Sequence, residues 1–230
     1  MARSPYNRHP LPPLFAGALA LLAAVLVALF VLNAIAYAYR RIGISEGALF
    51  GLVWLSLVGG FINIPVARLR GQAQRGVREI VAFGVRYRVP VLQAPAPTTL
   101  AVNLGGAVIP AALSVFLLIK DDIWWQSAVA VLFVAAVVHM IARPIAGLGI
   151  AVPALAPPLL AAVTALIISP TAPAALAYIA GSLGTLIGAD IVNVGKVREL
   201  GAGVASIGGA GTFDGVFLSG IVAVLLVGVT

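Results

Sequence analysis

The stretch from Leu14 to Ala38 runs for 25 residues without one charged side chain. About 20 apolar residues cross the hydrocarbon core of a bilayer as a helix. Further runs of that kind follow, so the chain reads as a helical membrane protein. Composition agrees, with 62% hydrophobic and only 9% charged residues. So few charges cannot cover a water-soluble surface, which excludes a soluble enzyme and a disordered chain. A transmembrane barrel would show short alternating segments instead of long continuous runs. The first run contains Ala34-Ile35-Ala36, which resembles a signal-peptide cleavage site. It is far longer than the apolar core of a signal peptide, so an uncleaved span is expected.

Seven spans are predicted, at about 14–38, 48–65, 99–119, 123–142, 145–168, 173–194 and 203–229. The expected fold is all-α and polytopic: one transmembrane domain over 14–229, preceded by a polar N-terminal segment, 1–13. Only residues 66–98 form a sizeable loop, with six arginines against the single acid Glu79. Its stretch Arg78–Leu92 is rich in β-branched and aromatic residues around Gly84, which predicts a small β-hairpin on the membrane surface. Pro153, Pro157 and Pro158 interrupt the fifth span. Trp124 and Trp125 open the fourth, where an interfacial aromatic pair belongs.

The net charge of +7 follows from where the basic residues sit. Eleven lie on one side of the predicted spans and three, Arg40, Arg41 and Lys120, on the other. The positive-inside rule then places the N-terminus and the 66–98 loop in the cytoplasm and the C-terminus outside. No basic stretch is interleaved with stacking aromatics, so nucleic acid is not an expected partner. The partner is the lipid bilayer, with a transmembrane peptide as a possible substrate; oligomeric state stays open. The chain has no Cys, which excludes disulfides and thiolate metal sites. No metal or cofactor is expected. Twelve Arg against two Lys, with abundant Ala, Gly and Val, suit a GC-rich prokaryotic genome and its inner membrane.

Polar residues inside a bilayer are costly and mark candidate sites. Asp190 and Asp214 are the two carboxylates within predicted spans. On regular helices they would lie roughly 7 Å and 16 Å deep. They could converge if the segment 201–211, with five glycines, were unwound. Asn63, Asn103, Asp190 and Asn193 all fall toward the cytoplasmic half, Asn193 three residues after Asp190 on the same helix face. One reading is packing glue between helices, aided by small residues such as Gly188. The other is a polar cavity lined by four helices. Gly59-Gly60 before Ile64-Pro65 and Gly105-Gly106 before Ile109-Pro110 form an echo of the kind internal repeats leave.

Three strings, Asn103-Leu-Gly-Gly-Ala-Val-Ile-Pro110, Gly184-Thr-Leu-Ile-Gly-Ala-Asp190 and Ser206-Ile-Gly-Gly-Ala-Gly-Thr-Phe-Asp-Gly215, carry a resemblance. The chain resembles, over about residues 45–228, a prokaryotic multi-span family labelled only as a domain of unknown function, number one-six-one-four. That resemblance implies no activity. At motif level the chain is also similar to intramembrane aspartyl proteases of the presenilin and signal-peptide-peptidase type. Phe213-Asp214 resembles their aromatic-Asp motif, Gly188-Ala189-Asp190 part of their Gly-x-Gly-Asp motif, and Pro153-Ala154-Leu155 their Pro-Ala-Leu motif. The motif order differs, and Ala189 stands where a second Gly belongs. This similarity implies an Asp190–Asp214 dyad cleaving a membrane-embedded peptide. Two carboxyls close together in a low-dielectric site cannot both ionise easily, so one serves as base on a water and the other as acid. The competing expectation is an ion- or proton-coupled transporter or channel with a buried Asp/Asn site.

Overall fold

The structure, a computed structural model, describes residues 13–69, 74–82, 85–93, 97–145, 149–199, 203–209 and 215–228. Helix α1 spans Pro13–Arg41. Its proline falls in the first turn, where a missing N–H costs nothing. Arg40 and Arg41 occupy the last turn, where cations suit the helix dipole. Gly43, at φ 78, turns the chain. Helix α2 (Glu46–Gly59) then runs back beside α1.

The remaining helices are α3 (Ile109–Asp121), α4 (Trp124–Ile141), α5 (Ala156–Ile168), α6 (Pro173–Thr185) and α7 (Gly215–Val227). A π-helical segment, Leu104–Val108, leads into α3, and another, Leu186–Ile191, extends α6. Among the described residues, four helical stretches are long and apolar enough to cross a membrane: Gly17–Arg41, Leu104–Asp121, Trp124–Ile141 and Pro173–Lys196. Three apolar helices, α2, α5 and α7, are shorter than that.

The fold is mostly helical, but it is not all-α. Strand β1 (Asn63–Leu69) pairs antiparallel with β4 (Thr98–Asn103), and β4 pairs parallel with β7 (Val204–Ile207). Strands β2 (Gln74–Ala82) and β3 (Val85–Gln93) pair antiparallel from Gln74↔Gln93 to Ala82↔Val85. Short strands β5 (Arg143–Ile145) and β6 (Gly149–Ala151) pair between α4 and α5.

Three expected spans are therefore not continuous helices, and a fourth starts as a strand. The 48–65 span stops at Gly59–Gly60 and becomes β1, where Pro65 has no N–H to donate and the register shifts in a bulge. In the 145–168 span the described helix begins at Ala156, because Pro157 and Pro158 fit only a first turn. In the 203–229 span Val204–Ile207 is β7, and the described helix is α7, Gly215–Val227; Gly208 and Gly209 take positive φ between them. The 99–119 span opens as β4, with the two strand-compatible threonines Thr98 and Thr99 at its start.

Helix α6 is the centre of the bundle. Leu176, Tyr178 and Ile179 are fully buried, and α3, α4, α5 and α7 all pack on α6. At the opposite extreme, α1 exposes Leu19, Leu22, Leu26 and Phe30. Such apolar flanks suit a lipid environment.

Candidate functional site

Three helices break at one end of the bundle, and their freed backbone groups must find partners. Asn103, fully buried at the end of β4, supplies several. Its Oδ1 accepts from the Gly106 N–H at 2.7 Å, and its Nδ2 donates to the Gly60 carbonyl at 2.8 Å. The same Nδ2 donates to Asn63 Oδ1 at 3.1 Å, because β1 and β4 place Asn63 and Asn103 opposite one another. Ser206 Oγ, from β7, also donates to Asn63 Oδ1, at 2.5 Å. The Leu104 N–H reaches the Ile62 carbonyl at 2.9 Å. The expected echo segments around Gly59-Gly60 and Gly105-Gly106 thus meet: a Cβ on Gly105 would strike the Ser56 carbonyl and the Gly60 nitrogen.

Asp190 enters this layer from α6. It sits in the π-helical segment, where i→i+5 bonds such as Val192 N–H to Ile187 O at 3.0 Å replace the usual ladder. Its Oδ2 accepts from the Gly208 N–H at 2.7 Å. Gly208 has φ 80, a left-handed conformation open to glycine. Any Cβ there would also lie 2.6–2.8 Å from Ala107 and Gly106. So the chain just beyond β7 is wedged between the carboxylate and the π-segment that follows Asn103. Among the described residues, no Lys or Arg pairs with Asp190, and Gly208 is its one hydrogen-bond donor. A small apolar cluster of Ala107, Leu186 and Val216 underlies the layer.

Asn63 and Asn103 are therefore brought together and joined by Ser206, while Asp190 holds Gly208, two residues beyond Ser206. Asn193 is not part of that network. It is buried, and its Nδ2 folds back onto the Gly188 and Ala189 carbonyls at 2.9 and 3.0 Å, capping the broken helix end. Gly188 is a packing residue, since a Cβ there would strike the Ala135 backbone of α4. Pro153, Ala154 and Leu155 are exposed just before α5. Phe213 and Asp214 lie outside the described residues. Ser206 was not among the sequence-derived candidates. The signal for it was present: Ser206-Ile-Gly-Gly-Ala repeats the pattern of Asn103-Leu-Gly-Gly-Ala, and the two segments end parallel paired strands.

The arrangement offers a carboxyl group in an apolar bundle, held at one oxygen by the Gly208 N–H, two residues beyond the Ser206 hydroxyl that bonds Asn63. It can exchange a proton or contribute a ligand to a small cation. The chain belongs to the DUF1614 family, described as a protein of unknown function, whose match covers residues 57–226. No curated protein and no solved structure matches it.

Proposed function

We propose that this member of the DUF1614 family passes protons or small cations across the inner membrane of a prokaryote, with Asp190 as the exchanging group. One observation carries the reading. A carboxylate on a candidate membrane-spanning helix is met, where that helix turns π-helical, by the backbone of a second broken element. Intramembrane carboxylates mark ion and proton pathways, and π-turns and broken helices mark the sites they serve. The β1-β4-β7 sheet adds a reason. Its two outer strands leave backbone groups that lipid cannot satisfy, so this end of the bundle meets water. Seven elements then cross or dip into the bilayer, with the N-terminus and the β2–β3 pair cytoplasmic and the C-terminus outside.

The test is flux. Purified protein in liposomes carrying an internal pH dye, under a potassium diffusion potential, should acidify or alkalinise the lumen. Asp190→Asn should stop this. Wild-type flux no greater than that of empty liposomes, for protons, sodium and potassium alike, overturns the reading.

A second reading has one observation in its favour. Asp214 directly precedes α7, whose first turn puts Val216 against Leu186 of the π-segment that carries Asp190. An Asp190–Asp214 dyad would hydrolyse a membrane-embedded peptide. Peptide cleavage by the wild type that is lost in both Asp190→Asn and Asp214→Asn supports it. Cleavage that survives either change excludes it.

A further inference from the structure

Helix α6 carries Tyr178, Ser182 and Thr185 at i, i+4 and i+7, on one face. All three are buried; Tyr178 and Ser182 lie within reach of one another, but no well-aligned hydrogen bond reaches any of the three hydroxyls. Ser56 of α2 and Ser127 of α4, also buried, share that state. Ser114, Thr164 and Ser219, also on helices, each donate to the carbonyl four residues back. Ser182 and Thr185 do not take that local partner. A regular helix would place Ala189 next on this face. The π-turn closes i→i+5 bonds, so Asp190 takes that place one turn beyond Thr185.

Two more hydroxyls face the line from outside α6. Tyr39 of α1 lies beside Ser56 of α2 and beside Tyr178, and Tyr178 lies beside Ser182. Tyr39 and Ser56 are buried, and no well-aligned hydrogen bond reaches their oxygens either. Gly220 of α7 leaves room for the pair: a Cβ there would strike Ser182 Oγ and lie 3.1 Å from the Tyr178 ring. A cavity of about 350 Å³ lies at the N-terminal end of α6, one helical turn from Tyr178. Arg40, Lys120, Thr171 and Ala174 are among its lining residues, and Ala174 is one turn before Tyr178. From Ala174 to Asp190 the path is roughly 24 Å long.

Buried polar groups in folded proteins find partners, and where protein supplies none, ordered water does. We infer that the hydroxyls of Tyr39, Ser56, Tyr178, Ser182 and Thr185 line a hydrated proton path from the Arg40–Lys120 cavity to Asp190. The inference rests on the reading of Asp190 as the exchanging group and names the proton as the ion moved. A hydronium in the cavity gives its proton to the first water. Each water or hydroxyl oxygen then accepts one proton and releases another to its neighbour. The Asp190 carboxylate takes the last one and gives it up to water at the Asn63–Asn103–Ser206 layer. No electron moves, and every relay group returns to its starting state.

The test combines flux with labelling in the full-length protein. Tyr178→Phe with Ser182→Ala keeps the ring and the packing, so it should fold, which its melting temperature in detergent verifies. Proton flux in liposomes should fall roughly tenfold, the rate equivalent of one lost hydrogen bond. Radiolytic hydroxyl-radical labelling, which modifies a buried tyrosine only where water sits beside it, should mark Tyr178 in the wild type. Full flux in the double variant overturns the path while leaving the Asp190 reading intact, provided Asp190→Asn is inactive. An unlabelled Tyr178 overturns the hydrated line whatever the flux. Absence of wild-type flux overturns both.

Discussion

Helix α1 and helix α6 with its extension to Lys196 are both long and apolar enough to span a membrane, yet only 6% of the α1 window is buried against 72% for the α6 stretch. Their sequences differ accordingly. From Leu14 to Asn33, α1 is built of Leu, Ala, Val and Phe with a single glycine, and its one strongly polar residue there, Asn33, bonds back to its own Leu29 carbonyl. Helix α6 and its extension carry Tyr178, Ser182, Thr185, Asp190 and Asn193, alternating with small residues that let α4 and α7 approach. In lipid there is no hydrophobic gain from moving a leucine off the tails, so a uniformly greasy helix has no reason to be central. Small and polar residues supply close packing and hydrogen bonds, and these draw α6 inside. Hydrophobicity thus tells which helices meet the membrane, and polarity tells which one the others gather around.

Substitutions can break this contrast. The largest effect is expected at Gly188→Leu on α6, where the new side chain has the Ala135 backbone in its way. A destabilisation of about 3 kcal/mol or more is expected, at the upper end for overpacking. A melting temperature in detergent close to that of the wild type would mean that α4 and α6 are not in close contact. Next is Leu26→Arg, mid-helix on the exposed side of α1. A charge at the centre of a span costs about 3 kcal/mol of insertion, so a glycosylation-mapping assay should show a reduced inserted fraction. An unchanged fraction would place α1 outside the hydrocarbon region.

Asn103→Leu comes third. It strands the Gly60 carbonyl and the Gly106 N–H, at about 2 kcal/mol for the buried pair. Proton flux should fall with it, since Asn63 loses a partner in the same layer. The smallest effect is expected for Leu26→Ala, under about 0.5 kcal/mol for an exposed site. A cost near 2 kcal/mol there, measured by chemical denaturation in micelles, would show that protein rather than lipid covers this flank of α1.

The polar residues that meet at the site were visible as exceptions. Asn63, Asn103 and Asp190 stand out because bilayer cores reject them. Asn193 stood out for the same reason but serves to cap a helix end, and a residue list cannot separate these roles. Ser206 was hidden because a lone serine in a glycine-rich run is unremarkable by composition; only alignment with Asn103-Leu-Gly-Gly-Ala singles it out. The Tyr178–Ser182–Thr185 face was readable from the helical period. The place of Asp190 on it was not, since that depends on one π-turn.

Composition and apolar run length by themselves settle the membrane class, because burying charge or leaving so much apolar surface in water is too costly. Prolines and glycines mark where α5 and α6 begin and where α2 stops, because φ restriction and a missing N–H act locally. The strand pairing was decided only in three dimensions. Whether Asn63–Leu69, Thr98–Asn103 and Val204–Ile207 become helix or strand depends on partners far apart in the chain. A helix would satisfy their backbone groups within each segment, whereas the sheet leaves the outer edges of β1 and β7 unpaired. The choice falls to Asn103, the close approach at Gly105 and the Gly208–Asp190 bond, which exist only when all three segments are in place.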